Sequence, residues 1–487
     1  MNKSIIRYIL GHVMMIEGLL FLLPMVTGII YGEKEAFTFL SVGVASALLG
    51  FLITRKKPVS MVFYLKEGCV TTALSWIILS IIGCIPFVIT GEIPSFTDAL
   101  FETISGFTTT GASILSDVES LSHASLTWRS FTHWIGGMGV LVFLLTILSM
   151  TGGSSMNLMK AESPGPSVGK LVPKMRQTAQ FLYGIYFVLT FIEFILLIFA
   201  GMSVFDSMNT AFATAGTGGF GIKNDSITSY NDAVKVIVTV FMMLFGVNFN
   251  AYFFIITGKI KDFFKIEEVR YYLLVILVSI GLIFINIIDL YPSAKEALID
   301  SAFQVGSIIT TTGFSTADFN MWNSTAKTVL VLLMFCGACA GSTGGGIKVS
   351  RFLIALKTIK KELHSYIHPK SIRKIKIDGK PIEHDVVRSC NVYLITFFCI
   401  FIASLFLVSL DNYDLTTNFT AIAATINNIG PGLELVGPTC NFSIFSPLAK
   451  YVMMFDMLAG RLELFPILIL FNPILWKDAL HTNKNAG

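Results

Sequence analysis

The chain has 487 residues, of which 54% are hydrophobic and only 14% charged, with 42 Phe and a formal net charge of +4. A mean hydropathy of +0.73 excludes an ordinary water-soluble domain and places the chain among polytopic membrane proteins, with no nucleic acid expected as a partner. Seven cysteines form no disulfide framework, because most of them (Cys69, Cys84, Cys336, Cys339, Cys390, Cys399) lie in or beside apolar segments, where core packing is their expected role.

A bilayer core takes about 20 apolar residues per helix, and ten stretches qualify: 8–31, 36–54, 69–90, 131–150, 180–201, 233–257, 271–290, 326–357, 389–410 and 446–472. The first reads as a retained helix rather than a secretory signal, since no small-residue cleavage pattern follows it and a second apolar span begins almost at once. An even number of spans leaves both termini on one side. The basic segments Arg55-Lys56-Lys57, the loop with Lys160, Lys170, Lys174 and Arg176, the stretch 259–270 and the long segment 351–388 all fall on that side. The positive-inside rule makes it cytoplasmic.

Four shorter semi-apolar stretches lie between spanning helices on the opposite side: "DALFETISGFTTTGA", "DSMNTAFATAGTGGF", "DSAFQVGSIITTTGF" and "TNFTAIAATINNIGPG". In the first three an Asp (Asp98, Asp206, Asp300) stands thirteen residues before a glycine (Gly111, Gly219, Gly313), an offset that marks internal repeats. Each Asp is expected to cap the N-terminus of a half-length helix. In the fourth stretch Thr417 holds that place ahead of Gly430, and its hydroxyl is the expected cap. Irregular backbone at membrane depth survives only where protein buries it or where it lines a watery cavity. Four such loops are therefore expected to meet around a path for ions, with backbone carbonyls replacing an ion's hydration shell and glycine permitting the backbone angles required.

The third repeat's inner helix is interrupted by "GACAGSTGGGIK", residues 337–348, which carries five glycines. At roughly 1 kcal/mol per glycine relative to alanine, a loop is expected there, beneath the first set of loops. A phosphate-binding loop is excluded, because Ile347 separates Gly346 from Lys348 where GxxxxGK[ST] needs them adjacent. Arg461 falls deep in the last span, so it should face the path or a partner, Asp456 and Glu463 being the nearest carboxylates in sequence. No catalytic constellation is present, and the chain is not expected to be an enzyme.

These residues carry a resemblance. "TTTGAS", "GTGGFG", "TTTGFS" and "NNIGPG", with "AGSTGGGIK" after the third and "GRLELFP" in the last helix, resemble the Trk/Ktr/HKT superfamily of potassium transporters, most closely the TrkH type, over nearly the whole chain. The resemblance implies an all-α polytopic membrane fold of four helix–pore-helix–helix repeats in pseudo-fourfold arrangement after two N-terminal transmembrane helices. The corresponding boundaries are 1–68 for the N-terminal pair and cytoplasmic loop, and 69–150, 151–257, 258–388 and 389–487 for the repeats. It implies a potassium filter formed by Thr109, Thr110, Gly111, Thr217, Gly218, Gly219, Thr311, Thr312, Gly313, Asn428, Ile429 and Gly430. Glycine in all four repeats goes with potassium preference in that superfamily, whereas serine in the first goes with sodium permeation in some plant members.

The resemblance further implies an intramembrane gate of Gly341, Ser342, Thr343, Gly344, Gly345, Gly346, Lys348 and Arg461. It implies potassium as the transported substrate with no covalently bound cofactor, a bacterial inner-membrane location, a homodimer among membrane lipid, and a cytosolic nucleotide-binding regulatory subunit of the TrkA type. The segment 351–388, with ten Lys or Arg against four Asp or Glu, is expected to fold a short hairpin for docking. Sodium permeation, or coupling of potassium to protons or sodium on the same fold, stays open as the alternative.

Overall fold

The computed structural model describes residues 1–58, 64–139, 175–371 and 373–481. Two helices, α1 (Lys3–Leu20) and α2 (Leu22–Tyr31), make one membrane-length rod, and α3 (Glu35–Thr54) returns antiparallel beside it. Glycines set their separation. A Cβ on Gly18 would stand 2.5 Å from the Gly43 carbonyl oxygen and one on Gly50 2.4 Å from that of Gly11, the close backbone approach that small residues permit between membrane helices. Trp128 then anchors this pair to the first repeat: it packs on Phe21, Phe39 and Phe107 and donates to the Gly83 carbonyl.

The first repeat comprises α4 (Leu65–Thr90), the half-helix α5 (Phe96–Phe107) and α6 (His123–Met138). The second comprises α7 (Met175–Phe199), half-helix α8 (Val204–Ala215) and the inner pair α9 (Asp232–Phe245) and α10 (Phe249–Ile256). In the third, α11 (Glu267–Ile287) leads to half-helix α12 (Ala294–Ile309), α13 (Ser324–Cys336) and, beyond a loop, α14 (Val349–Ile367). The fourth holds α15 (His384–Val408), half-helix α16 (Leu415–Ile426), α17 (Pro447–Arg461) and the short α18 (Phe465–Leu468), with α19 (Pro473–His481) following. Inner helices pack on the half-helix of the next repeat, α6 on α8, α9 on α12, α13 on α16, and α17 back on α5. The cycle closes.

Among the described residues six helices are long and apolar enough to cross a membrane, or seven if the bent α9–α10 pair is counted as one span, fewer than the ten expected. Four inner spans account for the difference from six, the interrupted 326–357 among them. The stretch 233–257 is two helices bent by 98°, because Gly246 ends α9 and Asn248 starts α10 as its cap. The stretch 446–472 breaks after Arg461, where Glu463 and Leu464 adopt φ of 58° and 66°. The stretch expected at 131–150 begins earlier, at His123, and α6 ends at Met138 before Gly139 with φ 82°. Residues 140–150 lie outside the described residues, as do Lys160, Lys170 and Lys174 and the boundary expected at 150/151. The interruption after α13 is present as expected.

The caps also differ from expectation. Ser95 and Ser203 accept from the N–H of Asp98 and Asp206, Ser293 from that of Glu296, and Asp414 from that of Thr417. Asp98 and Asp206 therefore occupy the third helical position, where a carboxylate still meets the positive helix end, and Thr417 holds the same place rather than the cap. Asp300 lies farther inside, because α12 has 16 residues where the other three half-helices have 12. These side chains serve tertiary contacts: Asp98 pairs with Lys450 at 2.6 Å, Asp206 accepts from the Tyr230 hydroxyl, and Asp300 from that of Thr316.

The basic segment forms a small antiparallel hairpin, Lys376–Ile377 with Lys380–Pro381. It sits against the start of α11, where Lys357 pairs with Glu267 and the Glu267 N–H donates to Asp378. Large apolar side chains such as Leu277, Ile285, Ile395 and Ile402 are more than half exposed on the outer faces of α11 and α15, the surface that hydrocarbon would cover.

Candidate functional site

All four half-helices end four residues before a glycine, at Phe107, Ala215, Ile309 and Ile426. The exit is the same each time. Thr109, Thr217, Thr311 and Asn428 donate to the carbonyl three residues back, and Thr110, Gly218, Thr312 and Ile429 to the carbonyl five residues back. This is the Schellman pattern, which requires a left-handed residue just past the helix and usually uses glycine there. Here the residue is threonine three times, with φ of 55°, 52° and 60°, and Asn428 at 56°. A β-branched residue in that region is a true outlier and costs about 1–2 kcal/mol; asparagine is more at ease. The ring glycines are left-handed as well, Gly111 and Gly219 at 78°, Gly313 at 88° and Gly430 at 98°.

The loops meet head to tail. A Cβ added to Gly111 would stand 2.0 Å from the Gly218 carbonyl oxygen, one on Gly219 2.0 Å from that of Thr312, and one on Gly313 2.0 Å from that of Ile429. One on Gly430 would stand 2.9 Å from the Thr110 carbonyl oxygen, which closes the ring less tightly. All four glycines floor a single polar vestibule of about 130 Å³, which Ser113, Lys223 and Asn441 also line. Side chains stitch the ring: the hydroxyls of Thr108 and Thr110 meet at 2.8 Å, those of Thr310 and Thr312 at 2.7 Å, and the Asn428 amide donates to Thr110 Oγ1 and to the Met457 carbonyl.

Two buried groups that the sequence did not single out brace this ring. Arg129, 2% exposed, donates from Nε and a terminal nitrogen to Glu102 and from its other terminal nitrogen to the Gly221 carbonyl. Glu102 also accepts from the Ser113 hydroxyl and the Ile114 N–H, so one ion pair ties the exits of loops one and two together. His133 accepts the Phe220 N–H at Nε2, which leaves Nδ1 to donate to the Gly106 carbonyl. Both lie in "TWRSFTHW", ahead of or at the edge of the span expected from 131; a charge at helical spacing from a histidine was the available signal.

The loop 337–348 lies directly behind the ring. Cβ atoms on Gly344 and Gly345 would meet the carbonyls of Thr310 and Asn427 at 2.9 and 2.5 Å, and the Gly345 N–H donates to Thr311 Oγ1 at 2.6 Å. The break in the second repeat's inner helix supports it from the other side: Gly341 O accepts from Phe249, Cys339 donates to Gly246 O, and the Thr343 hydroxyl to Phe245 O. Ser342 bonds back to Cys339, and the carbonyls of Gly344 and Gly345 receive the buried Lys348 ammonium. Lys348 itself is left-handed at φ 81°, as are Gly341 and Gly346 at 70° and 75°. Glu268 accepts from the N–H groups of Ala340 and Ser350, closing the base of the loop.

Arg461, 9% exposed, donates to the Thr343 carbonyl at 2.8 Å and to the carbonyls of Gly136 and Gly137 at the end of α6. The two neighbouring carboxylates have other partners: Glu463 pairs with Arg351, and Asp456 accepts from Ser404. A single guanidinium thus joins the loop of repeat three to the inner helices of repeats one and four.

Spanning helices around a closed ring of irregular backbone define a multi-pass membrane transport protein, not an enzyme. The TrkH family model, described as a cation transport protein, matches residues 35–482, and the chain belongs to that family. It is 34% identical over 493 residues to the Trk system potassium uptake protein TrkH of Escherichia coli (strain K12), covering 98% of this chain and 100% of the relative. It is 33% identical over 497 residues to the Trk system potassium uptake protein TrkG of the same strain, with the same coverage. The crystal structure of the potassium transporter TrkH from Vibrio parahaemolyticus superposes with a TM-score of 0.87 at 29% identity, over 98% of this chain and 100% of that one.

Proposed function

We propose that the ring is a potassium filter and that the chain conducts potassium inward across the cytoplasmic membrane, with loop 337–348 and Arg461 as the gate. The observation that carries this reading is the head-to-tail ring, in which each glycine lies against the carbonyl of the next repeat. Left-handed residues recur at every second position, 109 and 111 and their counterparts, a course that supports the reading of Thr109, Thr110, Gly111 and their counterparts as the carbonyl lining of the path. Such oxygens replace the water around a bare cation, and the half-helices add their negative ends beneath it. Relatives named as potassium uptake proteins indicate the ion. The test is flux through the purified protein in liposomes. Potassium selectivity in the wild type and its loss in Gly111→Ser are expected, while equal potassium and sodium fluxes in the wild type would overturn the reading. Reversal potentials under imposed proton or sodium gradients distinguish conduction from coupling.

With both termini cytoplasmic, the hairpin and the start of α11 face the cytosol together, and a nucleotide-binding subunit of the Trk system docks there on a homodimer. Reversing Arg373, Lys374 and Lys376 to Glu should weaken that complex, mainly through its association rate. Equal co-purification after the reversal would remove these residues from the interface.

A further inference from the structure

We propose that the groove between α1, α3 and α4 is a binding site for one anionic phospholipid, holding an acyl chain along the groove and its phosphate at Lys3 and Arg7. The groove encloses about 300 Å³, within the range of small-molecule sites. Its walls are Leu10 and Met14 of α1, Ile53 at the end of α3, and Leu74 and Ile78 of α4, which offer an occupant only hydrocarbon. Basic residues hold the mouth: Lys3 and Arg7 line it, and both are exposed. Arg7 gives one N–H to the Lys56 carbonyl, one of the five donors a guanidinium carries. That contact fixes the head of Arg7 beside the basic run Arg55-Lys56-Lys57. Glu67 is only 4% exposed and accepts the N–H groups of Asn2 and Tyr64. The exposed charges at the mouth, Lys3 and Arg7, are both positive.

Two further features select a lipid over a peptide. Next to the lining residue Ile53, α3 leaves Phe51 and Leu52, and one turn earlier Leu48, each more than half exposed, so this end of α3 meets hydrocarbon. Trp476 closes one end, its indole N–H fixed to the Leu470 carbonyl and its ring 42% exposed. Tryptophan at such a boundary marks the headgroup level, and basic pockets between membrane helices at a cytoplasmic surface suit anionic headgroups.

The site is tested by native mass spectrometry of the full-length purified protein with phosphatidylglycerol or phosphatidylcholine added. Wild-type protein should retain phosphatidylglycerol in preference. The double variant Lys3→Glu/Arg7→Glu should lose about tenfold or more of that retention while keeping phosphatidylcholine unchanged. Leu74→Trp should reduce both lipids by filling the groove. If Leu74→Trp fails to fold, as judged by elution and melting temperature, the charge-reversed variant decides through lipid preference alone. Equal phosphatidylglycerol retention by wild type and the reversed variant overturns the proposal. So does a Leu74→Trp protein that turns from dimer to monomer with its lipid unchanged, which would make a second copy the occupant.

Discussion

From each half-helix to its ring glycine the four repeats follow one backbone course, whereas past the ring each inner helix stops in its own way. On the first side the helix end, the two return hydrogen bonds, the left-handed residue and the left-handed glycine recur with the same spacing four times. On the second, α6 ends at a glycine, α9 bends by 98° into α10, α13 gives way to a twelve-residue loop, and α17 ends at two left-handed residues with side chains. The difference follows from the tasks proposed. A spherical ion needs equivalent oxygens from every direction, so the ring tolerates little divergence. A gate needs one mobile element and firm neighbours, and each inner helix could diverge to supply a different piece of it.

The sharpest way to break this comparison is at the ring itself. Gly219→Ala and Gly313→Ala each drive a Cβ to 2.0 Å from a backbone carbonyl and should cost about 3 kcal/mol or more of ring stability. Potassium selectivity in liposome flux should disappear in both. Gly430→Ala meets its neighbour only at 2.9 Å and should keep part of the selectivity. Equal losses at all three positions would mean that the ring's looser seam has no functional weight.

The gate should answer in the opposite direction. Arg461→Ala removes charge-assisted bonds to Thr343, Gly136 and Gly137, each worth ~1.5–3 kcal/mol, so potassium flux without a regulatory subunit should rise about tenfold or more. Deleting residues 344–346 should do the same. Combining the two should add little, because both release one restraint. Wild-type fluxes in both single variants, at normal membrane levels, count against the gate.

Thr311 belongs to both regions, and a smaller effect there sharpens the contrast. Its hydroxyl accepts from Gly345, while the Thr217 hydroxyl bonds to the Gly216 carbonyl and Thr109 Oγ1 has no hydrogen-bond partner. Thr311→Val should therefore raise regulator-free flux several-fold, at about 1 kcal/mol for one lost bond, and Thr109→Val should leave it unchanged. Smallest of all, Ser95→Ala, Ser203→Ala and Asp414→Ala should each lower stability by about 1 kcal/mol, read as a drop in melting temperature with selectivity retained.

How much of this was legible in the sequence depends on the kind of interaction. The repeats were legible because glycine has no substitute where a Cβ would strike a neighbouring carbonyl, so Gly111, Gly219, Gly313 and Gly430 stand out in any reading. The loop after α13 was legible for the same reason. The breaks at 246–248 and 462–464 were not, because isolated polar residues such as Asn248 and Glu463 do not end an otherwise apolar stretch and Leu464 gives no local hint of a left-handed backbone. The caps were misassigned to Asp98 and its counterparts because a constant offset from the glycine measures distance from the helix's end, not from its start. Arg129 was hidden by an expected span that began at 131, so a polar helix start read as loop, and His133 fell inside that span as one polar residue among apolar ones. Arg461 donates to backbone carbonyls on two other repeats, and no sequence pattern marks a carbonyl.

The bond from Asn428 to Thr110 joins residues 318 positions apart, and it spans the one seam between the first repeat and the last. At synthesis rates of ≈ 5–20 residues per second, roughly 15–60 s pass between the emergence of these two residues. Throughout that interval the Thr110 hydroxyl and the Ser113 carbonyl of the first loop wait for the Asn428 amide and the Phe442 N–H of the fourth repeat. The nascent chain must therefore be sheltered at that point, by the insertion machinery or by water.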